Sequence, residues 1–344
     1  MNSTYNDNSK PQLNVFNKNQ ELIKNSIDLY IQNLLGNKER YGSIRILDVG
    51  SAQGRNSNSV LSLLIPKILS EVSDQNQFIE VFHNDLEVNN WTLLFMELKN
   101  NSNYKHLSDS IYTYGVGKSF YEQVVPSQSI HYSFMMNCAH WAKSTSNFNP
   151  PHDSMLVMDK NDIMLQEDRR SDLYSNLYHR SQELVTGGVL VANFLSFENE
   201  NFGDFSRLMK LVFMDLVRDG VDTELTIEDI HNLYLPVYLF EQDDLLSTIS
   251  RIPSFQLKSI QHNQTECTLQ PLIKSHGVEF FAKCFSNFLI SVAEATLKAA
   301  IKGDQQRKDK IFQEYLNRFT NHIKNNPTLY KSTISSYFVI LEKI

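Results

Sequence analysis

Residues 44–49, IRILDV, form a largely apolar stretch with an acid, Asp48, at its second-last position, and a glycine turn, GSAQG, follows at once. An apolar run bounded by glycine predicts a buried strand, and the next residues, 55–69, have helical periodicity. A strand that leads directly into a helix begins a βαβ unit, because parallel strands need crossover connections. This stretch therefore predicts an α/β sandwich with a mainly parallel sheet.

The same alternation continues along the first 200 residues. Strands are predicted over 78–82, 129–134 and 187–197, and helices over 19–36, 91–99 and 170–186. After residue 200 helices follow one another, and the helix predicted over 278–300 has a phenylalanine-rich face. We therefore expect an α-helical cap over an α/β core. In chain order we predict a terminal segment over 1–17, the core over 18–199, the mainly helical cap over 200–300, and a helix and strand that complete the core over 301–344.

Composition excludes several function classes. The formal net charge is −7 and the pI about 5.8, so the chain lacks the basic footprint of a nucleic-acid-binding protein. Cys138, Cys267 and Cys284 are far apart and have no histidine at metal-ligand spacing, which predicts neither a disulfide framework nor a metal site. No signal peptide is recognisable, and no apolar run approaches the ~18 residues of a membrane span. We expect a cytoplasmic protein with no membrane partner.

Two acids follow consecutive predicted strands, and they carry the first functional signal. Asp48 ends IRILD, and Asp85 lies in VFHNDL. In open α/β sheets the ligand lies at the carboxyl ends of the strands, where a carboxylate can accept both ribose hydroxyls of a nucleoside. Either acid alone could be a loop or N-cap residue. A dinucleotide dehydrogenase is disfavoured, since G-x-G-x-x-G is missing and the two acids are 37 residues apart instead of roughly 20.

Five segments in order resemble one family. They are LDVGSAQGRN, VFHNDLEVNN, GKSFYEQVVPSQSIHYSFMMNCAHW, SQELVTGGVLV, and DLVRDG followed by LYLPVY. The chain is similar to the SABATH methyltransferases, which include salicylate and jasmonate carboxyl methyltransferases and caffeine-pathway N-methyltransferases. The resemblance implies a Rossmann-like class I methyltransferase sheet with a helical cap, the cofactor S-adenosylmethionine and the product S-adenosylhomocysteine; no metal is predicted. It also allows a homodimer.

The resemblance also implies roles for individual residues. Residues 4–12, TYNDNSKPQ, match a family segment, SYxxNSxxQ, that folds over the bound cofactor as a lid. The matching cofactor residues are Tyr5, Ser9, Asp48, Gly50, Ser51, Asn56, Asp85, Leu86, Ser119 and Phe120. The two residues that match the carboxylate-holding pair are Gln12 and Trp141. The expected substrate pocket consists of Asn137, His140, Phe205, Ser206, Tyr238, Phe285 and Phe288.

The chemistry that this resemblance implies needs little from the protein. A carboxylic acid with a pKa near ~4 is already ionised at neutral pH, so a general base is unnecessary and His140 is expected to be a pocket-wall residue. Gln12 and Trp141 supply neutral N–H donors that fix a carboxylate without an ion pair. We predict a carboxyl methyltransferase for a small, largely apolar acid. The alternatives are an N-methyltransferase on a heterocycle, which offers no pair of oxygens to hold, and a non-catalytic S-adenosylmethionine-binding protein.

Overall fold

A computed structural model describes residues 10–36, 42–71, 78–143, 152–156, 160, 162–198, 200–330 and 333–344. The strands are β1 Ser43–Val49, β2 Phe78–Asp85, β3 Ile111–Gly117, β4 Ile130–Met135, β5 Leu184–Leu195, β6 Phe255–Thr265 and β7 Ile334–Lys343. They form one seven-stranded sheet in the order β3-β2-β1-β4-β5-β7-β6. The first five are parallel, and β7 runs antiparallel to both β5 and β6. The α/β class predicted from the sequence is confirmed.

The helices longer than six residues are α1 Lys10–Lys18, α2 Gln20–Gly36, α3 Arg55–Glu71, α4 Trp91–Asn101, α5 Ile163–Glu183, α6 Glu200–Arg218, α8 Gln242–Ser250, α10 Val278–Ala300 and α11 Gln305–Asn325. Two shorter helices are α7 Ile227–His231 and α9 Pro271–His276. Successive side chains of a strand point to opposite faces of the sheet, so β1 supplies Ile44 and Ile46 to one core and Leu47 and Val49 to the other. Helices α2 and α3 cover the first face, whereas α5 and α8 cover the second.

A third core belongs to the cap. Helices α6, α10 and α11 pack around a cluster that includes Met209, Phe213, Phe285 and Tyr315. The helix predicted over 278–300 is α10, with the same bounds. The segment predicted as a mainly helical cap, 200–300, also contains β6, which pairs with β7 at the edge of the core sheet. Alternation alone did not predict β6, since both of its faces are partly exposed and polar residues interrupt its pattern.

Helix α10 has one property that the sequence prediction overlooked. Within the described part of the chain, its residues Val278–Ala299 are the one stretch long and apolar enough, by length and composition, to cross a membrane. Core helices meet the same criteria. Phe281, Phe285 and Leu289 are almost fully buried in the cap cluster, so the apolar composition of α10 is used for packing against α6 and α11.

Candidate active site

The turn after β1 is shaped by two glycines in the left-handed backbone region. Gly50 has φ +73°, and a Cβ there would lie 2.5 Å from the Cβ of Cys138. Gly54 has φ +88°, and a Cβ there would lie 2.7 Å from Leu94 Cδ1. Since neither space nor backbone suits another residue, the sequence GSAQG is needed for this close turn. The turn lies at the carboxyl edge of the sheet, where the residues after β2 and β4 also meet.

Asp48 is paired beneath this turn with a histidine that sequence reasoning missed. His83 lies opposite Asp48 in the register of β1 and β2, and its Nδ1 is 2.7 Å from Asp48 Oδ2. Both side chains are almost fully buried. A histidine N–H here holds the carboxylate in one orientation. Alignment of the two strand ends, Asp48 with His83, is the signal that could have found this pair.

Asp85 links the turns after β1 and β2. Its Oδ2 accepts the Ala52 N–H and its Oδ1 accepts the Leu86 N–H, both at 2.8 Å. Burial raises the pKa of Asp85, and the nearby charge of Asp48 raises it further, while the two backbone donors oppose this rise. Each carboxylate oxygen keeps a second lone pair for a ligand.

The loop that carries Ser119 and Phe120 is held from below by a buried ion pair. Arg180 Nη1 donates to Phe120 O at 2.9 Å, and Arg180 Nε donates to Glu183 Oε2 at 2.5 Å. Glu183 Oε1 in turn accepts the Val124 N–H at 2.6 Å. Arg180 and Glu183 are fully buried at the end of α5. The sequence shows them only as charges on a helix, so their role in supporting this loop was not predicted.

These segments surround a cavity of about 650 Å³. The predicted residues that line it are Gln12, Asp48, Gly50, Ser51, Asn56, Asp85, Leu86, Ser119, Phe120, Asn137, His140, Trp141, Phe205 and Phe288. Tyr5 and Ser9 lie outside the described residues. Residues that are more than 270 positions apart in the chain thus meet at the carboxyl edge of the sheet, beneath the cap.

One end of the cavity has polar groups suited to an anion. Gln12 is 8% exposed, and its Oε1 has no hydrogen-bond partner among the described residues. Trp141 is held through its backbone, where its carbonyl accepts the Tyr121 hydroxyl at 2.6 Å and its strand bridge pairs it with Val237. Burial lowers the pKa of His140 to about 4, so this imidazole is neutral at pH 7. Gln12, Trp141 and His140 therefore offer only uncharged groups.

The whole chain, residues 1–344, matches the family model described as SAM dependent carboxyl methyltransferase. The chain belongs to this methyltransferase family. It is 23% identical to anthranilate O-methyltransferase 2 of Zea mays, over 82% of each protein. It is also 23% identical to S-adenosyl-L-methionine:benzoic acid/salicylic acid carboxyl methyltransferase 3 of Petunia hybrida, over 78% of each. Among solved structures it resembles loganic acid methyltransferase with SAH, with a TM-score of 0.75, 20% identity, and coverage of 99% of this chain and 97% of that one.

The cofactor of this carboxyl methyltransferase family is S-adenosylmethionine, and the site residues fit it. Ser51 Oγ and Asn56 Oδ1 are buried at the cavity without a hydrogen-bond partner among the described residues. Asp48 and Asp85 are two carboxylates at neighbouring strand ends, suited to ammonium and ribose hydroxyl groups. Within the described part of the chain, no group of three or more metal-binding side chains is present.

Three predicted pocket residues of the methyltransferase do not line the cavity. Ser206 is fully buried, and its Oγ accepts the N–H groups of Met155 and Leu156, both at 2.8 Å. Tyr238 donates its hydroxyl to Asp172 Oδ2 at 3.1 Å. Phe285 packs edge-on against Phe205 inside the cap. Helical periodicity places Ser206 and Phe285 on helices, whereas Tyr238 lies outside the helices and strands, and side-chain packing turns all three away from the cavity.

Apolar side chains that the sequence did not single out form another part of the cavity lining. These apolar lining residues are Met136, Leu156, Leu195, Phe202, Met209, Leu235, Val237 and Ile334. They come from six different parts of the chain, and Leu156 is positioned through the backbone by Ser206. Since no short motif contains them, only the packing of the cap on the sheet identifies them.

Proposed function

We propose that this chain transfers the methyl group of S-adenosylmethionine to the carboxylate of a small, largely apolar acid and so forms a methyl ester. The observation that carries the proposal is the arrangement of one cavity. Gln12 and Trp141 line the same cavity as the carboxylates Asp48 and Asp85 and an apolar set of side chains. One cavity thus offers groups for each part of the reaction: the nucleoside, the carboxylate of the acid and its hydrocarbon body.

The protein's own task in this reaction is orientation. S-adenosylmethionine, when bound, supplies an activated methyl group on a sulfonium. Gln12 and Trp141 would hold the acid through neutral N–H groups, so the carboxylate keeps its charge and its nucleophilicity. Holding the reactants in line can supply roughly 7–11 kcal/mol of the barrier, and exclusion of water from the cavity adds to this. A neutral His140 forms no ion pair with the acid.

The wall of the cavity favours an apolar acyl group. Phe205, Phe288, Met209 and Leu235 line the cavity, and these four side chains offer no charge to compensate a charged second substituent. The names of the related methyltransferases refer to anthranilate, benzoic or salicylic acid and loganic acid, which are small carboxylic acids. N-methylation of a heterocycle is the alternative for this site, and two carboxylate-directed donors argue against it.

Treatment of the product with alkali tests the proposed bond. Purified protein is incubated with methyl-labelled S-adenosylmethionine and a panel of benzoate, anthranilate, indole-3-acetate, decanoate, geranic acid and xanthine. We expect label to be transferred to one or more acids and released as methanol by mild alkali. Alkali-stable label on xanthine would support the N-methyltransferase instead, and cofactor binding without any transfer would support the non-catalytic alternative.

A variant that introduces a negative charge tests the clamp itself. Gln12→Glu is nearly isosteric and brings a like charge to the acid, so we expect kcat/KM for the acid to fall by about 100-fold or more, roughly 2.7 kcal/mol. Gln20→Glu, the same change on a partly exposed residue of α2, is the control and should leave activity unchanged. Equal activity of Gln12→Glu and Gln20→Glu would show that Gln12 does not hold the acid.

We further propose that the segment with Tyr5 and Ser9 closes over the cofactor, that the protein is cytoplasmic, and that it forms a homodimer without nucleic-acid or membrane partners. Deletion of residues 1–9 should weaken S-adenosylhomocysteine binding in calorimetry, and unchanged affinity would contradict the lid. Light scattering after size exclusion measures the oligomeric state, and imaging of a tagged protein measures the location.

A further inference from the structure

The turn after β4 carries one donor of the proposed clamp and contacts the segment that carries the other. This turn, residues 136–141, ends in Trp141, while Asn137 at its start contacts the α1 segment that contains Gln12. Asn137 has φ +56°, a left-handed conformation that asparagine tolerates better than most residues. The position of the turn therefore affects both sides of the clamp.

Asn193, near the carboxyl end of β5, fixes this turn from below. Its Oδ1 accepts the backbone N–H of Asn137 at 2.6 Å, and its Nδ2 donates to Asn137 Oδ1 at 2.9 Å. Asn137 Nδ2 then donates to the backbone carbonyl of Gln12 at 3.4 Å. Asn193 is 1% exposed and does not line the cavity, so it reaches the site only through Asn137.

The orientation of each amide follows from the one before it. A backbone N–H can only donate, so Asn193 must present Oδ1 to it and Nδ2 to Asn137. Asn137 consequently presents Oδ1 to Asn193 and Nδ2 to Gln12 O. Reversal of either amide would place two oxygen atoms, or two N–H groups, against each other. The direction of the whole chain of hydrogen bonds is thus set by one backbone group.

We propose that Asn193 is a positioning residue for substrate: through Asn137 it sets the relative placement of Gln12 and Trp141. This inference rests on the proposed carboxylate clamp. A change at Asn193 should therefore act on the acid more than on the cofactor, because the groups expected to hold the cofactor, Asp48 and Asp85, are held by His83, Ala52 and Leu86 instead.

Asn193→Asp tests the direction of the hydrogen bonds with a nearly isosteric change. An ionised aspartate still accepts the Asn137 N–H but cannot donate, so the Asn137 amide must turn and direct its oxygen at the Gln12 carbonyl. We expect kcat/KM for the best acid of the panel above to fall by about tenfold or more, with the S-adenosylhomocysteine Kd changed by less than about threefold.

Two further variants separate positioning from stability. Ser133→Ala also alters a buried polar group of the sheet, on β4, whose Oγ has no partner among the described residues, and it should retain wild-type kinetics. Asn137→Gly keeps the left-handed backbone and its N–H bond to Asn193 but removes the contact with Gln12. It should reproduce the loss for the acid even if the buried charge of Asn193→Asp prevents folding.

The outcomes distinguish this inference from the proposed function. If the wild-type protein forms no methyl ester, the clamp and the inference both fail. If the wild type is active and Gln12→Glu is not, but Asn193→Asp and Asn137→Gly behave like Ser133→Ala, the inference alone is overturned. Equal losses of acid and S-adenosylhomocysteine affinity in Asn193→Asp and Asn137→Gly would show a general structural role and would also overturn it.

Discussion

Gly50 carries two separate constraints, a left-handed backbone and a wall formed by Cys138. A Cβ would lie 2.5 Å from Cys138 Cβ and 2.7 Å from its Sγ, so Gly50→Ala must displace the turn that lines the cofactor side of the cavity. We expect Gly50→Ala to abolish measurable S-adenosylhomocysteine binding in calorimetry. The Cys138 side is rigid as well, because its thiol donates to Val49 O.

Gly220 supplies a matched control for the backbone part of this effect. It has φ +64°, but nothing lies within 4 Å of a Cβ built there. Gly220→Ala should cost roughly 1–2 kcal/mol of stability and leave cofactor affinity unchanged. If Gly50→Ala behaved in the same way, crowding at the turn would be unimportant.

At the scale of elements, the end of α5 supports the loop that presents Phe120 to the cavity. Arg180→Met leaves Glu183 as a buried carboxylate without its cation, which costs about 3–5 kcal/mol. The variant also removes the donor to Phe120 O, so S-adenosylhomocysteine should bind more weakly. Chemical denaturation and calorimetry measure the two effects.

A second change tests whether the uncompensated charge of Glu183 causes the loss of stability in Arg180→Met. The double variant Arg180→Met, Glu183→Gln removes that charge and should regain part of the lost stability, but not the affinity. Lys24→Met breaks an ion pair with Glu21 whose side chains are 47% and 77% exposed, and it should change stability by less than about 1 kcal/mol. If Lys24→Met lost as much stability as Arg180→Met, the argument that burial makes the Arg180 ion pair important would be contradicted.

At the scale of the whole molecule, buried neutral histidines make folding sensitive to acid. Burial lowers the pKa values of His131 and His140 to about 4, whereas in the unfolded chain both titrate near 6.5. Between these values the unfolded chain binds more protons, so stability falls as the pH decreases from about 6.5 to 4. We expect the Tm to fall over this range.

His131→Asn isolates the contribution of one histidine to the pH dependence of the Tm. The Oδ1 of the asparagine can replace His131 Nδ1 as the acceptor of the Arg45 N–H, and an asparagine side chain does not titrate. The raised pKa of Asp85 acts in the opposite direction, so the comparison is between the variant and the wild type. The Tm of His131→Asn should depend less on pH between 6.5 and 4 than that of the wild type. If the Tm of the variant and of the wild type changed equally with pH, His131 would not contribute.

The sequence by itself determined the α/β class, the helices α2 and α10 to within a residue, and the acids at the ends of β1 and β2. These features depend on local periodicity and on chain order, since a strand end is recognisable from its neighbours. The motif-matched cofactor residues from Asp48 to Phe120 meet in one cavity for the same reason. Their placement requires only that parallel strands end at one edge of the sheet.

The tertiary structure alone decided how those residues are held and what surrounds them. His83 is 35 residues from Asp48, Asn193 is 56 from Asn137, and Arg180 is 60 from Phe120. Strand register and side-chain packing determine these partners, and neither can be recognised from the spacing of residues along the chain. Ser206 shows the same limit, because its helix was predicted correctly while its hydroxyl binds the backbone of residues 155 and 156 instead of facing the cavity.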